Sequence, residues 1–122
     1  PDAAAIAASS RLGADIVELH TGAYCELALA HDAAGVAREI RRIGDAARLA
    51  PAAGLEVHAG HGLTYATVAA IARMPEIVEL NIGHFLIGEA IFGGLAASVG
   101  HMRMLMSEAR GAVPLAARGQ AG

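Results

Sequence analysis

The sequence has few aromatic residues, a single cysteine and no long uninterrupted apolar run. Aromatic residues make up 3% of the 122 residues, and tryptophan is absent. Alanine and glycine supply much of the hydrophobic content, so helices packed on a sheet through small side chains are favoured over an aromatic-rich β-sandwich. This length fits one domain with a modest core and is too short for two.

The single cysteine and the charge balance argue against several classes of protein. Cys25 has no partner for an internal disulfide, so we predict a reducing compartment and a cytoplasmic location. The formal net charge of −3 gives no basic surface of the kind that binds nucleic acid. No apolar run reaches the roughly 20 residues that span a bilayer, and no signal peptide is recognised, so we expect no membrane contact. Because the sequence starts at Pro1, inside a predicted helix and without an initiator Met, we expect further sequence upstream.

Helical and extended segments alternate along the chain. The sequence predicts a helix over 1–12, a strand over 14–20, a helix over 32–49, a strand over 55–59, a helix over 64–73, a strand over 77–82 and a helix over 85–110 that is broken near Gly93-Gly94. Asp2 and Thr64 are expected to cap helices, and Pro51 and Gly54 to end one. Such alternation is typical of an α/β fold with a parallel sheet. Residues 111–122 lack periodicity and are predicted to form a flexible tail.

One five-residue pattern of acid, apolar residue, imidazole or amide, any residue and glycine occurs three times. Its copies are Glu18-Leu19-His20-Thr21-Gly22, Glu56-Val57-His58-Ala59-Gly60 and Glu79-Leu80-Asn81-Ile82-Gly83. The two-residue period of a strand puts the acid and the imidazole or amide on one face and the apolar residues on the other. The apolar residues expected to face the helices are Val17, Leu19, Val57, Leu80 and Ile82.

A polar face repeated on three strands indicates a closed barrel. An open doubly wound sheet would bury both faces under helices, whereas a barrel can turn the polar face inward, near its C-terminal mouth. Three strands cannot close a barrel that needs eight strands and roughly 250 residues. We therefore interpret residues 1–110 as part of a single (β/α)8 TIM-barrel domain.

Two loops place histidine among glycines at the C-terminal ends of strands, where (β/α)8 enzymes carry their active sites. They are Ala59-Gly60-His61-Gly62-Leu63-Thr64 and Ile82-Gly83-His84-Phe85. Glycine lets backbone N–H groups approach an anion closely, and a helix N-terminus favours negative charge, so a phosphate or oxyanion is expected there. The alternative is that the glycines serve only the conformation of the loops.

His61 and Glu18 are the strongest candidates for chemistry. His61 is either an exposed loop histidine bonded to backbone or a general acid, since imidazole titrates near neutral pH. Glu18 points into the predicted barrel, where a carboxylate is costly unless it is paired or used, and this favours a functional role over a structural ion pair.

Other polar residues of the repeat are assigned supporting roles. The repeat places Glu56 and Glu79 lower in their strands, where pairing with cations from other strands is favoured. His84 is expected to cap or orient its loop, and Cys25 to act as a small buried hydrophobe. The candidates for hydrogen-bonding support are His20, His58 and Asn81.

These motifs resemble those of the pyridoxine 5'-phosphate synthase family. Residues 17–24 (VELHTGAY), 54–65 (GLEVHAGHGLTY) and 79–88 (ELNIGHFLIG) are similar to its sixth-, seventh- and eighth-strand motifs, in that order. The resemblance covers nearly the whole chain except the tail. It implies that the chain supplies roughly the last three βα units, the C-terminal part, of a (β/α)8 barrel that assembles into a homo-octamer. Position 58 is His where many members have Asn.

The resemblance also implies an activity in vitamin B6 biosynthesis. This is a transferase-class ring closure of 1-deoxy-D-xylulose 5-phosphate with 3-amino-2-oxopropyl phosphate, giving pyridoxine 5'-phosphate, inorganic phosphate and water without a metal or organic cofactor. His61 matches the proton donor and Glu18 a carboxylate that stabilises a transition state. Gly62, Gly83 and His84 match positions that bind the aminoketone phosphate. The family's other catalytic residues belong to earlier strands, so we expect the isolated chain to be inactive and poorly folded.

Two other interpretations stay open. A metal-dependent TIM-barrel hydrolase could draw its ligands from the histidines and Glu18 at one barrel mouth. The ligands it would use are His20, His58, His61, His84 and Glu18. Stoichiometric zinc in the purified full-length protein would favour it. A non-catalytic barrel fragment that serves oligomer contacts would bind no phosphorylated ligand.

Overall fold

Three parallel strands form the centre of the structure, a computed structural model that describes residues 2–111. They are β1 (Ile16–His20), β2 (Glu56–Gly60) and β3 (Ile77–Asn81), paired in the order β1-β2-β3. Neighbouring parallel strands joined by helical crossovers are what the sequence predicts. The fold class is α/β as predicted, and the sheet is consistent with part of a TIM barrel.

Helices precede, connect and follow these strands. Those within the described residues are α1 (Ala3–Arg11), α2 (Gly22–Leu29), α3 (Ala33–Ala52), α4 (Val68–Ala72), α5 (His84–Gly93) and α6 (Leu95–Ala109). The carboxylates of Asp2 and Asp32 accept hydrogen bonds from the N–H groups of Ala5 and Gly35, which fixes the starts of α1 and α3. None of the helices within residues 2–111 combines the length and the apolar character that crossing a bilayer requires.

The structure corrects the predicted bounds of several helices. α2 lies in a stretch for which no helix is predicted, because this short segment carries no apolar stripe at helical spacing. α3 continues through Pro51, since a proline in the last turn removes only one helical hydrogen bond. Thr64 does not cap α4. Its carbonyl accepts from the N–H groups of Thr67 and Val68 in a tight turn, so the helix starts four residues later.

The break predicted near Gly93-Gly94 is confirmed. Gly94 has φ 84° and ψ 154°, a combination that is essentially restricted to glycine, and it separates α5 from α6. Of the predicted tail, residues 112–122 lie outside the described residues.

The apolar face of the sheet is buried, mainly under α3. Leu19 and Val57 belong to the core together with Ile43 of α3, and each is at most 2% exposed. The other residues predicted to face the helices, Val17, Leu80 and Ile82, are partly buried against the same core. The opposite face carries Glu18, His20, Glu56, Glu79 and Asn81, all of them exposed.

The strand register corrects the predicted level of Glu79, that is, its position along the strand relative to Glu18. Glu18 and Glu79 both pair with His58 of the middle strand, so the two carboxylates lie at one level and Glu79 is not lower. A β-bulge causes this, because Ile77 pairs with Val57 and Val78 is skipped. The extra residue returns Glu79 to the polar face beside His58. Glu56 pairs with Ile16 and does lie lower.

Candidate active site

The C-terminal ends of the strands open into a cleft of about 580 Å³. Its lining includes all five residues that the sequence assigns to the site, namely Glu18, His61, Gly62, Gly83 and His84. They come from the end of β1, the loop after β2 and the loop after β3. Parallel strands bring their C-terminal ends to one edge, which explains how segments so far apart in sequence meet here.

The loop that carries His61 has an unusual backbone. His61 has φ +79° and Gly62 has φ +82°, so two successive residues adopt the left-handed conformation. For a residue with a side chain this costs about 1–3 kcal/mol and persists only where the surroundings enforce it. The exposed imidazole is thereby held at the wall of the cleft.

Thr21, at the end of β1, is the residue that anchors this loop. Its N–H donates to the carbonyl oxygen of Gly60 at 2.8 Å. Its hydroxyl lies within donating distance of the carbonyl oxygens of Gly60 (2.8 Å) and His61 (2.7 Å), and the residue is fully buried. Sequence reasoning missed Thr21 because it occupies the position of the repeat where any residue is allowed.

His20 supports the imidazole of His61 directly. The two rings stack with centroids 4.2 Å apart and planes inclined by 28°. The N–H of Gly22 donates to Nδ1 of His20 at 3.2 Å, which fixes the orientation of that ring. A Cβ on Gly22 would lie 2.5 Å from Cε1 of His20 and 3.2 Å from Cδ2 of His61, so only glycine leaves room for the stacked pair.

The carboxylate of Glu18 is held by an amide from the other outer strand. Nδ2 of Asn81 donates to Oε2 of Glu18 at 2.9 Å. Asn81 therefore forms the hydrogen bond expected of a supporting residue, while Glu18 itself lines the cleft.

His58 contacts the two carboxylates, Glu56 and Glu79, that were expected to pair with cations of other strands. Its Nε2 lies 2.8 Å from Oε1 of Glu56, and its Nδ1 lies 3.6 Å from Oε1 of Glu79. The His58 side chain is 12% exposed, and its contact with Glu56 is short enough for a hydrogen bond, whereas its contact with Glu79 is not. Within the described residues, Glu56 and Glu79 thus contact an imidazole of the middle strand, whereas pairing with cations of other strands was predicted.

Gly83 and His84 form the start of α5 at the edge of the cleft. Gly83 is the N-cap residue and His84 the first residue of the helix. Neither crowding nor backbone conformation requires glycine at position 83, since its φ is −110° and a Cβ would meet nothing within 4 Å. Gly83, His84 and Phe85 line the cleft, so the N-terminus of α5, where an anion can bind, borders it.

Cys25 of α2 lies behind the His61 loop. Its thiol contacts Thr67 Oγ1 at 3.8 Å, and a Cβ on Gly62 would lie 3.2 Å from the Cβ of Cys25. Burial raises the pKa of this thiol above its ordinary value, and hydrogen bonding with Thr67 and Thr21 only partly opposes the rise. Cys25 packs against the core but is only partly buried, where the sequence predicts a buried residue.

The ligand set of the metal-hydrolase interpretation does not converge. Among residues 2–111, no three His, Cys, Asp or Glu side chains lie close enough together to share an ion. The histidines instead form separate contacts, His20 with His61 and His58 with two carboxylates.

Comparison with known proteins points to one family. The sequence model of the family described as pyridoxal phosphate biosynthesis protein PdxJ matches residues 1–108. The chain is 56% identical over 105 residues to the pyridoxine 5'-phosphate synthase of Roseobacter denitrificans, covering 86% of the chain and 42% of the relative. It is 57% identical over 109 residues to that of Caulobacter sp. strain K31, covering 89% and 43%. For Xanthobacter autotrophicus the identity is 55% over 112 residues, covering 92% and 44%. The chain thus spans a little over two fifths of the length of these relatives.

Proposed function

The chain belongs to the PdxJ family of pyridoxal phosphate biosynthesis proteins, and on this basis we propose that it is the C-terminal part of a pyridoxine 5'-phosphate synthase. The enzyme condenses 1-deoxy-D-xylulose 5-phosphate with 3-amino-2-oxopropyl phosphate and releases pyridoxine 5'-phosphate, inorganic phosphate and water. The observation that carries the proposal is the convergence of Glu18, His61, Gly62, Gly83 and His84 on one cleft.

The chain supplies the last three βα units of a (β/α)8 barrel. Within the described residues, β1 and β3 each pair on one side only, so the sheet can continue at both edges. The polar face of the sheet becomes the interior of the barrel, and the cleft becomes part of its C-terminal mouth. The complete enzyme is a cytoplasmic, transferase-class homo-octamer that needs no metal or organic cofactor. The isolated chain is inactive because the remaining strands carry the other catalytic groups.

Backbone N–H groups bind the phosphate of the aminoketone substrate. Gly62 presents its backbone in the left-handed conformation, and Gly83 opens the N-terminus of α5 toward the cleft. An anion there gains from unsatisfied N–H groups and from the helix dipole. His84 adds a side-chain donor at the same place.

His61 acts as the proton donor of the ring closure. Condensing an amine and carbonyl groups into an aromatic ring expels water, and each departing hydroxide needs a proton from a nearby acid. The stack on His20 and the anchored loop hold the imidazole where it can deliver that proton. The carboxylate of Glu18, held on one oxygen by Asn81, stabilises positive charge that develops on the reacting nitrogen.

The proposal is tested by incubating the full-length protein with both phosphorylated substrates. We expect pyridoxine 5'-phosphate and inorganic phosphate to appear together. No product under conditions in which a known synthase is active would overturn the proposal. Stoichiometric zinc in that inactive protein would favour the metal-dependent hydrolase, and no binding of phosphorylated ligands would favour the non-catalytic fragment.

A further inference from the structure

A hydrogen bond in the cleft joins the two outer strands of the sheet across the middle one. Glu18 is on β1 and Asn81 on β3, yet Nδ2 of Asn81 lies 2.9 Å from Oε2 of Glu18. Adjacent strands are about 4.8 Å apart, so the outer strands are separated by about 10 Å. Side chains from β1 and β3 can meet only where nothing rises from β2 between them.

Gly60 provides that gap. The register places Gly60 between His20 and Asn81, next to the hydrogen bond. A Cβ at position 60 would lie 2.5 Å from Oε1 of Glu18 and 2.7 Å from the carbonyl oxygen of Asn81. Gly60 is not among the residues with positive φ, so its backbone conformation alone does not require glycine. The requirement comes from its neighbours, namely the Glu18 side chain that crosses above it and the backbone and side chain of Asn81 beside it.

The level below shows the contrast. There His58 stands between Glu18 and Glu79 in the register and fills the space that Gly60 leaves open one level higher. Glu79 contacts that imidazole, whereas Asn81 reaches over the middle strand to Glu18. The change from His58 to Gly60 along β2 therefore allows Asn81 to reach across the middle strand to Glu18, whereas Glu79 meets His58.

We infer that Asn81 is a positioning residue for Glu18 and that Gly60 is the gap through which it acts. The amide holds Oε2 and Oε1 lies over Gly60, so the carboxylate is fixed at the wall of the cleft. This inference rests on the proposed function, because it assigns a role to Asn81 in the same reaction.

Replacing Asn81 with aspartate tests this role through the pH dependence of activity. Two carboxylates at this distance cannot both stay ionised without strong repulsion, but a single shared proton restores a donor between them. The Asn81→Asp variant should therefore recover activity relative to the wild type as the pH falls. The other titratable groups around the pair are His20 of β1, His58 of β2, Glu79 of β3, and His61 and His84 of the loops. All of them are present in both Asn81 variants, and Asn81→Ala, which adds no charge, is the reference for the pH dependence that they contribute.

The experiment measures kcat and KM for the full-length enzyme and its Asn81→Asp and Asn81→Ala variants between pH 6 and 8. For Asn81→Ala we expect kcat to fall roughly tenfold or more at every pH, with KM changed less than about twofold. For Asn81→Asp we expect the ratio to wild type to rise as the pH falls. The matched control, Glu79→Gln, changes a side chain of the same strand and face and should leave kcat within about twofold.

A pH-independent ratio for Asn81→Asp, or a loss confined to KM, would overturn the positioning role while leaving the proposed function intact. An inactive wild type would overturn both. Gly60→Ala gives a second test, since we expect it to lower kcat as Asn81→Ala does and the double variant to lose no more than either single variant. If the losses of kcat in the two single variants added fully in the double variant, this would contradict a shared role of Gly60 and Asn81. A crystal structure of Asn81→Ala in which the Glu18 carboxylate keeps its position would contradict the inference even if the kinetic effects were seen.

Discussion

At the scale of single residues, the cleft depends on a few positions where the local backbone or packing is costly. His61 adopts a left-handed conformation that glycine would adopt at less cost, and Gly22 has no room for a side chain beside the stacked imidazoles. Gly83 shows neither constraint. This difference fits the proposed function, in which Gly22 serves the packing of the site and Gly83 leaves space for the substrate phosphate.

Cys25 gives a prediction about pH at this scale. Burial raises the pKa of its thiol, so less of the reactive thiolate is present in the folded protein than in the unfolded chain at the same pH. We expect iodoacetamide to modify Cys25 more slowly in the folded full-length protein, with the rise in rate displaced to higher pH. Peptide mass spectrometry resolves this site, and the urea-unfolded chain is the control.

The same shift has a consequence for stability. Because the folded-state pKa lies above the unfolded one, the folded state binds more protons between the two values. The stability that the protonated thiol contributes to the folded state is fully present below the ordinary thiol pKa. It is lost as the pH rises from that value through the folded-state pKa. Equal alkylation profiles for folded and unfolded chains would contradict the burial of this thiol.

At the scale of elements, Gly94 and Gly100 form a matched pair. A Cβ would meet nothing within 4 Å at either position, so the two differ in backbone conformation and not in crowding. Gly94→Ala should destabilise the full-length protein by about 1–3 kcal/mol, since φ 84° and ψ 154° exclude a side chain. Gly100→Ala, inside α6, should stabilise it by about 0.5–1 kcal/mol. Urea unfolding measures both, and changes of the same sign would contradict the break between α5 and α6.

The elements also show what the sequence can and cannot predict. Alternation of apolar and polar residues located all three strands to within two residues, and Asp32 marked the start of α3. α2 was missed because its sequence carries no periodic stripe. The tight turn at Thr64 was missed because threonine is also expected at helix N-caps. The sequence alone does not distinguish a cap from a turn in which the Thr64 carbonyl accepts hydrogen bonds.

The sequence predicted which residues lie together at the cleft better than it predicted the contacts between them. Glycine and histidine at strand ends identified the loops, and the parallel sheet brings them together as expected. The sequence could not predict which carboxylates lie side by side in the sheet. The bulge at Val78 shifts the pairing of Glu79 by one residue, and no turn-forming residue marks the bulge in the sequence. The hydrogen bond between Glu18 and Asn81 depends on that register, which the repeat alone does not contain.

At the scale of the whole molecule, the exposed apolar side chains indicate missing neighbours. Ile87, Ile91 and Phe92 of α5 are 60%, 80% and 88% exposed, and Val78 of the outer strand is 62% exposed. Apolar helix surface and open strand edges of this kind favour association. In the proposed barrel the remaining strands and helices cover them.

We therefore predict that the isolated 122-residue chain is poorly folded. It should bind the dye anilinonaphthalene sulfonate and elute as aggregates in size-exclusion chromatography, whereas the full-length protein should bind little dye. A monomeric isolated chain with a cooperative thermal transition and little dye binding would contradict the interpretation as a piece of a barrel.

The central claim is that the imidazole of His61 donates a proton in the synthesis of pyridoxine 5'-phosphate. Its most direct test is kcat of the full-length His61→Ala variant, with His101→Ala as control, an exposed histidine of α6 outside the cleft. We predict that His61→Ala lowers kcat by roughly 10²- to 10⁴-fold while His101→Ala stays near the wild-type value. Equal kcat for His61→Ala and the wild type would contradict the claim.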